Sequence, residues 1–189
     1  MAESPVLLNK KKEAQFARKL SRRLKVALPD KYVVHTGKSI LYKLEVDVSG
    51  RLVPNDIGKP IRGQYAFQTD ILIEKKKPSI PLVVIELKYG SFSTHDIITY
   101  SSKASRHKDI YPYLRYGFVI GGLENLSRKF LTHNQGVDFA MALPKRVSKE
   151  AELLKLIRGQ IRNAERLIEV MQTNRSNFSK YEKTIKITI

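Results

Sequence analysis

Two apolar runs joined by a short polar link constrain this chain more than any other feature. Each run carries charge inside a β-type pattern, where burial makes charge costly. Pro81-Leu82-Val83-Val84-Ile85-Glu86-Leu87-Lys88 alternates with a period of two, setting Val84, Glu86 and Lys88 on one face and Val83, Ile85 and Leu87 on the other. Upstream, Phe67-Gln68-Thr69-Asp70-Ile71-Leu72-Ile73-Glu74 reads as a second strand. Between them, Glu74-Lys75-Lys76-Lys77-Pro78-Ser79 has the polar, proline-containing make-up of a hairpin link. Pairing around that link brings Asp70 near the level of Glu86 and Lys88, so that two carboxylates and an ammonium share one spot.

That grouping has a chemical use. Two carboxylates with the main-chain carbonyl of Leu87 make a hard oxygen site suited to one or two Mg²⁺ ions, which neutralise a phosphodiester and lower the pKa of a bound water. Lys88, on the same strand face as Glu86, is placed to orient or deprotonate that water and to counter charge building on the phosphorane. An E-x-K pattern by itself is ordinarily a solvated strand face. The hairpin-matched Asp70 is what turns the reading toward chemistry.

At 189 residues the chain is long enough for one cored domain and short for two. It reads as a single domain, with a core over about 10–143 and a C-terminal helix and tail over 144–189. Its 35 Lys and Arg against 18 Asp and Glu give a formal charge of +17 and a pI near 10.0, which points to a polyanionic partner, nucleic acid first, with charge alone not separating DNA from RNA. There is no apolar run of about twenty residues and no signal-peptide layout at the N-terminus, so a cytoplasmic protein without a membrane partner is expected. The lack of cysteine excludes disulfides and thiolate metal sites and fits a reducing compartment.

Residues 9–28 predict a helix with Glu13, Ala17, Leu20, Leu24 and Ala27 on one stripe, ending before Pro29. Glu13 reads either as a helix-start carboxylate or as a further metal ligand. Cations including Arg18 and Arg22 occupy the other faces and are placed to contact phosphates. Strands are expected at 32–34 and 40–48, the latter carrying Glu45 and Asp47 on a solvent-facing charge row. Gly37-Lys38-Ser39 lacks the first glycine of a phosphate loop and is followed by strand pattern, which excludes nucleotide hydrolysis of that type.

Ser93 and Asp96 have capping-box spacing and open a helix over about 94–110. Tyr100, Lys103 and His107 follow one another at helical spacing; Tyr100 and Lys103 are candidates to reach a scissile phosphate, and Arg106 and Lys108 to hold flanking ones. Strands are expected at 116–122, parallel by the helix crossover, and at 137–143. A helix over 148–171 carries an apolar stripe of Leu154, Ile157, Ile161, Ala164, Ile168 and Met171, suited to intrachain packing or to a homodimer. The tail 184–189 alternates like an edge strand. His35, His95, His107 and His133 lack zinc spacing or a nucleophile partner, and read as surface or capping residues.

Basic helix, strand, a hairpin carrying Asp70 and Glu86-Leu87-Lys88, helix, strand: this order, with Glu13 on the first helix, resembles the PD-(D/E)XK nuclease superfamily, which includes type II restriction endonucleases and archaeal-type Holliday junction resolvases. The resemblance covers roughly residues 10–122, with Thr69 where the motif name has proline. It implies an α/β fold with a restriction-endonuclease-like αβββαβ core, a central mixed sheet flanked by helices, and here an added C-terminal helix. It further implies Mg²⁺-dependent hydrolysis of phosphodiesters leaving a 3′-hydroxyl, with Asp70 and Glu86 as metal ligands and Lys88 positioning water. A restriction endonuclease is the expectation, a junction resolvase the nearest alternative, and a non-catalytic nucleic-acid-binding protein the alternative from another class.

Overall fold

A computed structural model describes residues 5–172 and 178–188, with side chains from residue 11 onward. Helix α1 (Pro5–Ala27) is followed by strands β1 (Tyr32–Thr36), β2 (Ser39–Leu41), β3 (Glu45–Val46), β4 (Leu52–Val53), β5 (Ala66–Gln68), β6 (Ile71–Lys75) and β7 (Ile80–Tyr89). Then come α2 (Thr94–Ile110), β8 (Arg115–Gly121), α3 (Arg128–His133), β9 (Phe139–Leu143) and α4 (Glu150–Gln172). Five strands form a mixed sheet in the order β1-β6-β7-β8-β9. β6 is antiparallel to both β1 and β7, while β7, β8 and β9 run parallel. α2 supplies the long crossover that a parallel pair requires.

Alternation along β7 builds two cores, one on each face of the sheet. Val83, Ile85 and Leu87, with Ile71 and Ile73 of β6, pack under α1 through Leu20 and Leu24 and under α4 through Leu153, Ile157 and Ile161. On the other face Leu72, Val84, Tyr116, Phe118 and Ile120 meet Ile97, Tyr100 and Ala104 of α2. β7 is therefore buried from Pro81 to Leu87, and each aliphatic side chain so enclosed contributes about 1.5–3 kcal/mol. No outer face is left for Glu86. The glycine at 117 lets Phe139 of β9 lie against the sheet, since a Cβ there would sit 2.1 Å from the Phe139 ring.

Three expectations are corrected. The run 40–48 is not one strand: β2 pairs with β5 and β3 with β4, and the chain changes partner between them. The Asp47 carboxylate accepts N–H bonds from Ser49 and Arg51 at 2.8 and 2.9 Å, folding β3 tightly back onto β4. The run 67–74 breaks at Thr69 and Asp70, because β5 belongs to the small β2 sheet and β6 to the main one. In the tail, 184–188 is exposed and irregular and forms no strand, and residue 189 lies outside the described residues. The stripe of α4 is spent inside this chain, with Met171 at its end 57% exposed.

Candidate active site

Asp70 sits where the chain leaves one sheet for the other. The Thr69 N–H and hydroxyl both donate to the Lys38 carbonyl, at 3.0 and 2.9 Å, and the Gly37 N–H donates to the Asp70 carbonyl at 3.3 Å. Extending the β6–β7 register one step beyond Ile71↔Ile85 sets Asp70 opposite Glu86. Its Oδ2 accepts the Leu87 N–H at 2.7 Å. A strand residue sends its N–H and C=O to the same side, so the Leu87 carbonyl faces the edge that Asp70 occupies.

Glu86 projects toward α2 and is 2% exposed. Its Oε1 accepts the Tyr116 hydroxyl at 2.6 Å and the Lys103 ammonium at 3.3 Å. Burial pushes this carboxyl up to about 7, the neighbouring Asp70 charge adds to the rise, and Lys103 and Tyr116 oppose it. The Tyr116 and Tyr100 hydroxyls are raised as well, by burial first and then by the Glu86 charge. Both stay protonated at neutral pH.

Lys88 is held one pleat further along. Its ammonium lies 3.3 Å from Asp96 Oδ1 and 3.9 Å from Glu13 Oε2, and 6.0 Å from the centre of the Tyr100 ring. Asp96 completes the capping box of α2: its N–H donates to Ser93 Oγ at 3.1 Å, and its Oδ2 accepts the Ser93 N–H at 2.7 Å. One carboxylate thus fixes both the first turn of α2 and the strand's ammonium.

Asp70, Glu86 and the Leu87 backbone are brought together, with Lys88 and Glu13 paired beside them. Lys103 joins through its ion pair to Glu86, and Tyr100 packs on Phe118 with ring centres 5.2 Å apart. Arg106 is exposed, 5.8 Å from the Tyr42 ring centre. Arg18 and Arg22 are exposed along a shallow groove on α1. Lys108 is not at the site. It bonds the Asp138 carboxylate at 2.8 Å and the Gly136 carbonyl at 2.6 Å, and Asp138 also holds Arg115 at 3.0 Å, so this cation ties α2 to the starts of β8 and β9.

Tyr116 and the second role of Asp96 were not visible in the sequence, since both depend on strand register and helix rotation. The histidine reading is corrected at two positions. His35 is half-buried and pairs with Glu74 at 2.7 Å. His107 is fully buried between the rings of Phe67 and Tyr116, at 5.8 and 5.7 Å, with no hydrogen-bond partner of ordinary geometry on either ring nitrogen. Burial, with the Lys103 charge behind it, lowers this imidazole to about 4 and keeps it neutral.

The donor set fits Mg²⁺ in one specific way. Among the described residues no group of three or more His, Cys, Asp and Glu is arranged to hold a metal ion. The protein offers two carboxylates and a carbonyl, all oxygen, and their mutual repulsion is what a divalent cation relieves. Mg²⁺ keeps several waters and is commonly held by one or two carboxylates plus substrate phosphate. No described helix is long and apolar enough to cross a membrane. No protein-family model and no curated protein matches the sequence.

Proposed function

We propose that the chain is a Mg²⁺-dependent DNA endonuclease with a core of the PD-(D/E)XK type. The carrying observation is the apposition of Asp70, just before β6, and Glu86 within β7, with the Asp70 carboxylate on the Leu87 N–H and Lys88 next along β7. The order α1, β1, β6, β7, α2, β8 runs helix, three antiparallel strands, helix and parallel strand, which agrees with an αβββαβ core. Asp70, Glu86 and the Leu87 carbonyl would hold Mg²⁺, which supplies charge neutralisation at the phosphodiester and a more acidic water. Lys88, fixed by Asp96 and Glu13, orients the attacking water and opposes charge building at phosphorus. Lys103 and Tyr116 hold Glu86 in place through Oε1.

A purely binding protein has no use for this arrangement. Two carboxylates facing phosphate weaken binding, and a buried Glu86 at about 7 weakens folding. Within the nuclease class, restriction of duplex DNA rests on the size of the chain and on C-terminal elements able to form a dimer or read bases. The α4 stripe lies in the chain's own core, which leaves a dimer through that stripe without support; a junction-resolving nuclease is the alternative within the class. Supercoiled plasmid, linear duplex and a four-way junction, each incubated with Mg²⁺ and with Ca²⁺ in its place, separate these. Discrete fragments mark restriction and junction-selective nicking marks a resolvase. Salt-sensitive binding without cutting of any substrate, across varied sequences, removes the nuclease reading.

A further inference from the structure

A cavity of about 570 Å³ opens beside the candidate site, on the opposite face of the sheet. It lies at the C-terminal ends of the parallel strands, against Tyr89, Gly121 and Leu143, the last residues of β7, β8 and β9, and Gly122 just beyond β8. α1 forms one wall and residues 144–149 the other. Crevices at the carboxyl ends of parallel strands are where open α/β sheets hold ligands.

The walls are cationic and the floor is aromatic. Lys12, Lys19, Arg23, Lys145, Arg146 and Lys149 line the cavity against a single carboxylate among the described residues, Glu150, and that carboxylate is paired with Arg23. Among the described residues, Lys12, Lys19, Lys145 and Lys149 have no carboxylate within ion-pair distance. Phe16 and Tyr89 meet edge to face at the floor, ring centres 6.0 Å apart. Their seat requires glycine: a Cβ on Gly121 would lie 2.9 Å from Tyr89 and 3.1 Å from Phe16. Gly122, at φ +78, would bring its Cβ within 3.3 Å of both Tyr89 and the Lys145 stem.

We propose that this cavity takes an unpaired nucleotide of the DNA strand beside the cleaved bond, its base against Phe16 and Tyr89 and its phosphates against Lys19, Lys145 and Lys149. Unneutralised cations along a groove hold backbone phosphate, and rings at its floor stack a base, which is the combination that binds single strands. A paired base has no free face for the floor, so the cavity selects DNA that is frayed, branched or locally opened. The site is contiguous with the chemistry: Glu13, which pairs with Lys88, lies one helical turn from Phe16 on α1, and Tyr89 follows Lys88 directly. The proposal rests on the nuclease reading for the word "cleaved" and on the cavity alone for the nucleotide.

The test is run in EDTA, so that it does not depend on cutting. A short single strand carrying one 2-aminopurine is titrated with the full chain at several salt concentrations, beside the same strand annealed to its complement. The single strand is expected to bind with quenched fluorescence. Lys145→Ala with Lys149→Ala is expected to weaken it about tenfold and to lower the slope of log affinity against log salt by about 1.4, the value for two lost single-strand contacts. Lys76→Ala with Lys77→Ala, removing the same charge at the far end of β7, should cost less than twofold. Tyr89→Leu keeps apolar volume and should abolish most of the quench, and Phe16→Leu does the same if the first variant fails to fold. Quenching unchanged in both ring variants overturns the proposal. So does an equal loss on intact duplex and single strand for the cavity lysine pair, which would make the cavity a duplex track. Quenching that depends on the cavity in a protein that cuts nothing would leave the subsite standing while the nuclease reading falls.

Discussion

Glu86 is buried beside another carboxylate, and its protonation therefore couples folding to pH. Its folded value of about 7 lies above the ordinary 4.5, so the native state binds this proton more tightly than the unfolded chain. Stability from this group is fully present below about 4.5 and is lost as pH rises through about 7, a difference of roughly 3 kcal/mol. Glu86→Gln removes the charge and keeps an acceptor for Tyr116. In metal-free protein at pH 8 its melting temperature should rise by several degrees, while cleavage is lost; a lower melting temperature would count against a repelling carboxylate pair. Tyr116→Phe deletes a hydrogen bond that favours the charged carboxylate. The acid limb of its cleavage profile should move to higher pH with folding intact, as read from kcat/KM against pH. The ammonium on Glu86 is that of Lys103, whereas Lys88 pairs with Asp96 and Glu13. The apposition of Asp70 and Glu86 is legible in the sequence because one short link sets the pairing of the two runs. Tyr116, Lys103 and Asp96 as partners are not, because no local pattern gives the β7–β8 register or the rotation of α2.

Helices and strands were legible where one face dictates the pattern. The capping box at Ser93 and Asp96 marks the start of α2, and Pro29 marks the end of α1. Runs that switch partners were not: 40–48 and 67–74 each satisfy strand alternation, yet each divides between two sheets. The break in the second run is what leaves Asp70 at a strand end instead of inside a ladder. α4 read first as intrachain packing, with a dimer surface as the sharper alternative, and the packing agrees with the first. Ile157, fully buried under the sheet, should cost about 2–5 kcal/mol as Ile157→Ala in urea unfolding, independent of protein concentration. A midpoint that depends on concentration would return α4 to an interface. Gly117→Ala drives a methyl into the Phe139 ring and should lose about 1–3 kcal/mol by the same measurement.

Across the molecule, both faces of the sheet are closed by helices, and function is left to the strand ends and to charge. With +17 on the whole chain, affinity for DNA should fall steeply as salt rises, and exposed cations such as Arg18 and Arg22 extend the cationic surface beyond the cavity. Charge binds DNA of any kind. On the proposed reading hydrolysis requires the carboxylate pair, and that would separate an enzyme from a basic protein. The decisive measurement is Mg²⁺-dependent cleavage by native protein, Asp70→Asn and Lys88→Ala, prepared identically and compared at equal DNA occupancy on plasmid, duplex and junction. Cutting by the native chain, at least a hundredfold slower in both variants with binding retained, is the predicted result. Equal cutting by all three proteins, or none by any on every substrate, would contradict it.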